Sequence, residues 1–137
     1  MHFTMIELLN SNELKLTLDP VETEERVLSI AFDIKAEMNF PYQNVQIEIK
    51  SCWIEHSALN DFEGQVRDFT KGERSIVILQ NMSNQTIFRI IREKTNIQFI
   101  IEASDCMGMG KGTIAVNGYE AEVKELFERL RDYPKWW

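Results

Sequence analysis

Strict alternation of apolar and polar residues constrains this chain more than any other feature. Leu14, Leu16 and Leu18 interleave with Glu13, Lys15, Thr17 and Asp19, so one side of an extended segment is apolar and the other is wet. The same period recurs in Leu28, Ile30, Phe32 and Ile34 and again in Val45, Ile47 and Ile49. Phe3 to Leu9 reads as an opening strand, turned by Asn10-Ser11-Asn12, residues that tolerate left-handed backbone angles. Pro20 to Glu25 and Asn39 to Asn44 are the expected connecting loops. At 137 residues the length suits one hydrophobic core, and the expectation is a single domain over residues 1–137.

After Trp53 the period changes. Leu59, Phe62, Val66 and Phe69 recur at spacings of three and four, which places them on one side of an α-helix. Ser57 is the expected N-cap, and Lys71-Gly72 supplies a basic last turn and a terminating glycine. Strands follow at Ser75 to Gln80, Thr86 to Glu93, Asn96 to Ala103 and Thr113 to Val116. A closing helix carries the stripe Tyr119, Val123, Leu126, Phe127, Leu130 and Tyr133, with Asn117 and Glu120 as its capping box and Pro134 as its stop. Glu120 with Lys124 and Glu125 with Arg129 are its expected ion pairs.

The expected class is therefore α+β, with about eight mainly antiparallel strands in the order ββββαββββα and two amphipathic helices packed on the sheet. Eight strands at about 4.8 Å make a sheet close to 40 Å wide, while a helix covers only about 10 to 12 Å. A single, strongly curved sheet that packs on itself is the expected solution.

Few chemistries survive inspection of the motifs. Asp105-Cys106-Met107-Gly108-Met109-Gly110-Lys111-Gly112-Thr113 is glycine-rich, but it has Asp105 where a P-loop needs glycine and Gly112 where it needs Ser or Thr. A glycine-permitted bend between two strands is the expectation there. Cys52 and His56 stand four apart, a spacing that suits a metal or a thiol–imidazole pair, yet structural zinc would also have to recruit Cys106 and His2 or an acid from distant segments. No cofactor, no metal and no catalytic residue is assigned. The amino-terminal segment lacks the pattern of a signal peptide and no apolar run reaches the length of a membrane span, so a cytoplasmic protein with two reduced thiols is expected.

Charge is the most usable clue. A formal net charge of −7 opposes a phosphate backbone, so nucleic acid is not an expected partner. Residues 1–70 hold thirteen acids and five bases, and residues 71–117 four acids and six bases. Adjoining strands of one sheet would mix these segments in space. The sharper reading is an acidic patch of Glu22, Glu24, Glu25, Asp61 and Asp68 that docks a basic protein, with Trp136 and Trp137 as aromatic anchors.

The strand order, the Ser51-Cys52-Trp53-Ile54 approach to a helix carrying Leu59, Phe62, Val66 and Phe69, and the final helix from Glu122 to Tyr133 resemble the wall-associated-protein (WapI) family of bacterial immunity proteins. The resemblance implies a small cytoplasmic protein that binds and neutralises the toxic domain of a cognate toxin without catalysing anything. It carries over no functional residue. A small-molecule-binding or enzymatic α+β domain using the Cys106 to Gly112 loop, and a homo-oligomer that buries leftover sheet face, are the alternatives.

Overall fold

A computed structural model describes residues 4–137. Eight strands and two helices run in the order β1 (Ile6–Asn10), β2 (Leu14–Glu24), β3 (Ser29–Phe40), β4 (Gln43–Glu55), α1 (His56–Thr70), β5 (Ile76–Gln80), β6 (Thr86–Glu93), β7 (Asn96–Ser104), β8 (Lys111–Gly118) and α2 (Glu120–Asp132). All pairings are antiparallel and join neighbours in sequence. Within each sheet the connections are short turns or loops, too short for a parallel crossover, and only β4 and β5 are joined by the longer segment that holds α1.

The single strongly curved sheet is not what forms. The strands make two separate four-stranded sheets, β1-β2-β3-β4 and β5-β6-β7-β8. The break falls where α1 intervenes. Gln65 of α1 donates from Nε2 to the Ile78 carbonyl (3.2 Å), and its Oε1 accepts the Ile78 N–H (2.9 Å). That side chain takes the hydrogen-bonding positions that a neighbouring strand would use at Ile78 of β5. Splitting the strands also answers the width problem: Ile30, Phe32 and Ile54 of the first sheet share one core with Phe88, Phe99 and Ile101 of the second and with Phe62, Phe69, Leu126 and Leu130 of the helices. Each sheet and helix thus covers apolar surface that one flat sheet would leave open.

Several local expectations shift for identifiable reasons. Phe3 of the anticipated opening strand lies outside the described residues. β2 runs through Pro20 instead of ending there, because β1 pairs no further than Ile6 with Leu18 and the register slips between Pro20 and Glu22. The missing proline N–H therefore falls beyond the first ladder, at an irregularity that accommodates it. β3 and β4 likewise continue to a tight turn at residues 41 and 42, with Tyr42 at φ 70°. Glu55, not Ser57, stands at the start of α1, and the Ser57 hydroxyl bonds the Glu55 carboxylate instead.

The second helix begins two residues later than the Asn117 signal suggests. Glu122 Oε1 accepts the Tyr119 N–H at 3.0 Å, and Tyr119 is exposed rather than part of the buried stripe. Glu125 pairs with Arg129, whereas Glu120 turns away from Lys124 to meet Arg92 at 2.8 Å. Arg92 lies with its guanidinium 3.9 Å from the centroid of Phe69, tying β6 to both helices through charge and ring.

Candidate functional site

The β2–β3 turn brings acidic residues to the carboxyl-terminal tryptophans. Thr23, Glu24, Glu25, Leu28, His56, Trp136 and Trp137 line one cavity of about 360 Å³. Glu24 and Glu25 arrive there because β2 outlasts β1 and carries its polar end past the core. His56 arrives as the first residue of α1, its backbone N–H bonded to the Leu28 carbonyl at 2.8 Å.

The tryptophans are held in place by their own neighbours. Trp137 stacks on Tyr133 with ring centroids 5.8 Å apart, meets Trp136 edge-on at 5.6 Å and lies 6.5 Å from the His56 ring. Its indole N–H donates to Asn60 Oδ1 at 3.2 Å, and Trp136 donates to the Tyr133 hydroxyl at 3.1 Å. Lys135 bonds the Leu130 carbonyl and pairs with Glu63 at 2.9 Å. Two half-buried aromatic rings fixed beside carboxylates make a preorganised anchor point, which reduces the entropy lost on binding.

No protein-family model, curated protein or solved structure matches the chain.

Not every anticipated acid joins this cavity. Asp61 accepts a 2.6 Å bond from Gln65 and so supports the α1–β5 contact. Asp68 pairs with its neighbour Arg67 at 3.3 Å, and Glu22 is exposed on β2 without lining the cavity. Leu28, 60% exposed, is the apolar member that sequence reading assigned to the buried face of a strand. Because the two sheets do not interleave, the charge asymmetry also survives folding. Residues of β1 to β4 carry most of the acid excess and those of β5 to β8 do not, so the segments expected to mix stay apart.

The alternative chemistries find little support in geometry. Burial pushes the Cys52 thiol up to about 11, the opposite of what a nucleophile or metal ligand needs. Desolvation lowers the pKa of His56, favouring the neutral ring at pH 7. Cys106 is a free, exposed thiol on the β7–β8 hairpin loop; no group of three or more His, Cys, Asp and Glu gathers among the described residues, and His2 lies outside them. In the glycine-rich loop the Asp105 carboxylate itself accepts the N–H groups of Met107 (3.1 Å) and Met109 (3.3 Å). An internal anion thus occupies the donors that a phosphate would need. No helix is long and apolar enough to cross a membrane among the described residues.

A second cleft escaped the sequence reading altogether. Ser11, Glu13, Phe40, Ala115, Asn117, Tyr119 and Glu122 are among the residues lining a space of about 490 Å³ beside β8. Its residues come from four separated stretches of the chain, around residues 11–14, 40, 98–99 and 115–122, and no local period announces such a meeting.

Proposed function

We propose that this chain is a non-enzymatic binding protein that docks a basic protein domain through the acidic, aromatic face at the β2–β3 turn. The convergence of Glu24, Glu25, Leu28, His56, Trp136 and Trp137 on one cavity is the observation that carries the reading. Carboxylates steer a positively charged surface, and fixed indoles supply desolvated contact area once it arrives. The WapI-family resemblance suggests the class of partner: a bacterial toxin domain, whose nuclease forms must be basic to hold phosphate. Occlusion of such a surface needs no catalysis by this chain.

The test is calorimetric titration with the toxin domain encoded beside this chain in its source genome, together with that domain's catalytic assay. A one-to-one complex that weakens with salt and silences the toxin supports the reading. Glu24→Gln combined with Glu25→Gln is expected to weaken it about ten-fold, and Trp137→Ala by a similar or larger factor. A neighbouring gene that encodes no toxin-like chain, or a toxin domain that forms no stoichiometric complex, removes it.

A further inference from the structure

We propose that the free edge of β8, with the cleft beside it, receives an extended, lysine- or arginine-bearing segment of a protein partner as an added strand. This rests on the basic-partner reading above for the kind of occupant, and the test below lets the two fail separately.

The four sheet edges are not treated alike. Along β1, Arg129 of α2 donates to the Leu8 carbonyl at 3.4 Å and the Tyr133 hydroxyl bonds the Thr4 carbonyl just before the strand. Along β5, Gln65 takes both backbone groups of Ile78. β4 is irregular at the Lys50–Ser51 step, where its register slips against β3 and Ser51 stands at φ 50°. It also carries Glu48 and Lys50, and its Trp53 carbonyl is taken by the Met82 N–H at 2.9 Å. Side-chain caps, bulges and charges of this kind are how proteins prevent an edge from pairing with another strand.

β3 and β4 come close to β8, with the Ile47 side chain beside Gly112, but from Thr113 to Asn117 no cap, bulge or charge among the described residues guards the strand. Its register with β7 runs without a shift from Lys111 opposite Ser104 to Gly118 opposite Ile97. It contains no proline, and its one charged residue, Lys111, sits at the first position and leans toward Glu102 at 3.7 Å. No helix or side chain bonds its outer edge among the described residues. A regular, uncharged edge invites main-chain pairing, which is the commonest way a sheet recognises an extended segment.

The cleft chooses the charge of that segment. Glu13 and Glu122 both line it, no basic side chain does, and neither carboxylate has an ion-pair partner among the described residues. Burial pushes the Glu122 carboxyl above its ordinary range; the bond from the Tyr119 N–H pulls it down, and the charges of Glu13 and Glu125 add to the upward push. A cation placed between Glu13 and Glu122 relieves that repulsion. Phe40 and Tyr119, both exposed at the rim, offer ring surface to the stem and charge of such a side chain.

The probe is an acetylated, amidated Val-Lys-Val-Lys-Val peptide added to the full chain, read by amide hydrogen exchange. The amides of residues 113–117 that face the open edge are expected to exchange at least about ten-fold more slowly when the peptide is saturating. The same peptide with glutamate in place of lysine is expected to give no protection. Glu13→Gln combined with Glu122→Gln, which keeps an acceptor for the Tyr119 N–H, is expected to weaken binding about ten-fold without loss of the folded state. Protection confined to residues 24–28, or none, overturns the proposal. So does protection of β8 without peptide in a species of doubled mass, which makes a second copy the occupant. If the peptide protects β8 while the toxin domain does not bind, the strand site stands and only the toxin assignment falls; a toxin complex that protects residues 24–28 alone has the reverse meaning.

Discussion

The two sheets have the same number of strands, the same hairpin order and one shared core, yet they differ in how far they reach beyond it. The first has long strands, of 11, 12 and 13 residues in β2 to β4, and a register shift in each of its three ladders. Its strands outrun the core, so the exposed end of β2 carries Glu22 and Glu24, while the β3–β4 end carries uncharged residues such as Gln43 and Asn44. The second has strands of five to nine residues and only one shifted ladder. Its inner face holds Phe88 and Phe99, stacked 6.3 Å apart, with Phe62 of α1 edge-on at 6.0 Å. Both sheets fill the core, the first with Leu16, Ile30, Phe32 and Ile54 among others, but the first is also a presenting sheet, because residues beyond the core's reach are free to be polar.

That contrast breaks most readily at Phe88. Phe88→Ala removes the middle ring of the three and leaves a cavity, with an expected loss of about 3 to 5 kcal/mol. The substitution Val45→Ala, on the projecting half of β4, is expected to stay within about 0.5 kcal/mol. Urea unfolding of both variants checks the pair, and similar losses would mean that the projecting half of β4 is packed as tightly as the core.

Gln65 offers the next largest effect, because its amide caps both backbone groups of Ile78 at the edge of the second sheet. Gln65→Leu keeps the volume but strands the N–H and C=O of Ile78, at an expected cost of about 1 to 3 kcal/mol. Opening that edge should also raise the apparent mass in light scattering as concentration increases. An unchanged midpoint with no self-association would show that α1 covers β5 by packing alone.

The thiols sharpen the comparison further, since one lies in the first sheet and the other on a loop of the second. Cys106, exposed on the β7–β8 loop, should react with a thiol reagent in the native state, and Cys52, buried in the first sheet, only on unfolding. Burial raises the Cys52 pKa from 9.0 to about 11. The native state therefore holds this proton more tightly than the unfolded chain does. Its contribution to stability is complete below pH 9.0 and is lost as pH rises toward 11. Cys52→Ala should flatten this part of the alkaline limb; an unaltered slope assigns it to other groups.

Much of the fold was legible in the sequence because single elements obey local periods. Leu14, Leu16 and Leu18 all point into the core, as do Leu59, Phe62, Val66 and Phe69. The partition into two sheets was not legible, since no local period marks where one ladder stops, and the Gln65 bond to Ile78 on the edge of the second sheet joins residues 13 apart. Gln65 looks in sequence like any polar helix residue. Strand ends were misplaced where local turn chemistry lost to pairing: Pro20 and Asn39 signal turns, but each lies within a ladder already held by its neighbours. The acids and tryptophans of the candidate site were visible as residue types. What drew Glu24 and Glu25 to Trp136 and Trp137, and left Asp61 and Asp68 elsewhere, was the strand overhang.

His56 provides the finest test of the presenting sheet. Desolvation lowers its pKa below the ordinary 6.5, so the ring is neutral at pH 7 and leaves the charges of Glu24 and Glu25 in the same cavity undiminished. The neutral ring contributes stability that is complete above the ordinary value and is given up as pH falls through the folded one. Protonation places a cation beside those carboxylates and opposes a basic partner. Affinity for a basic domain is therefore expected to fall about three-fold as the pH drops from neutral to well below the ordinary 6.5 of imidazole, while His56→Gln stays level over the same range. Parallel slopes in the two proteins would assign the pH dependence to the partner and remove His56 from the docking face.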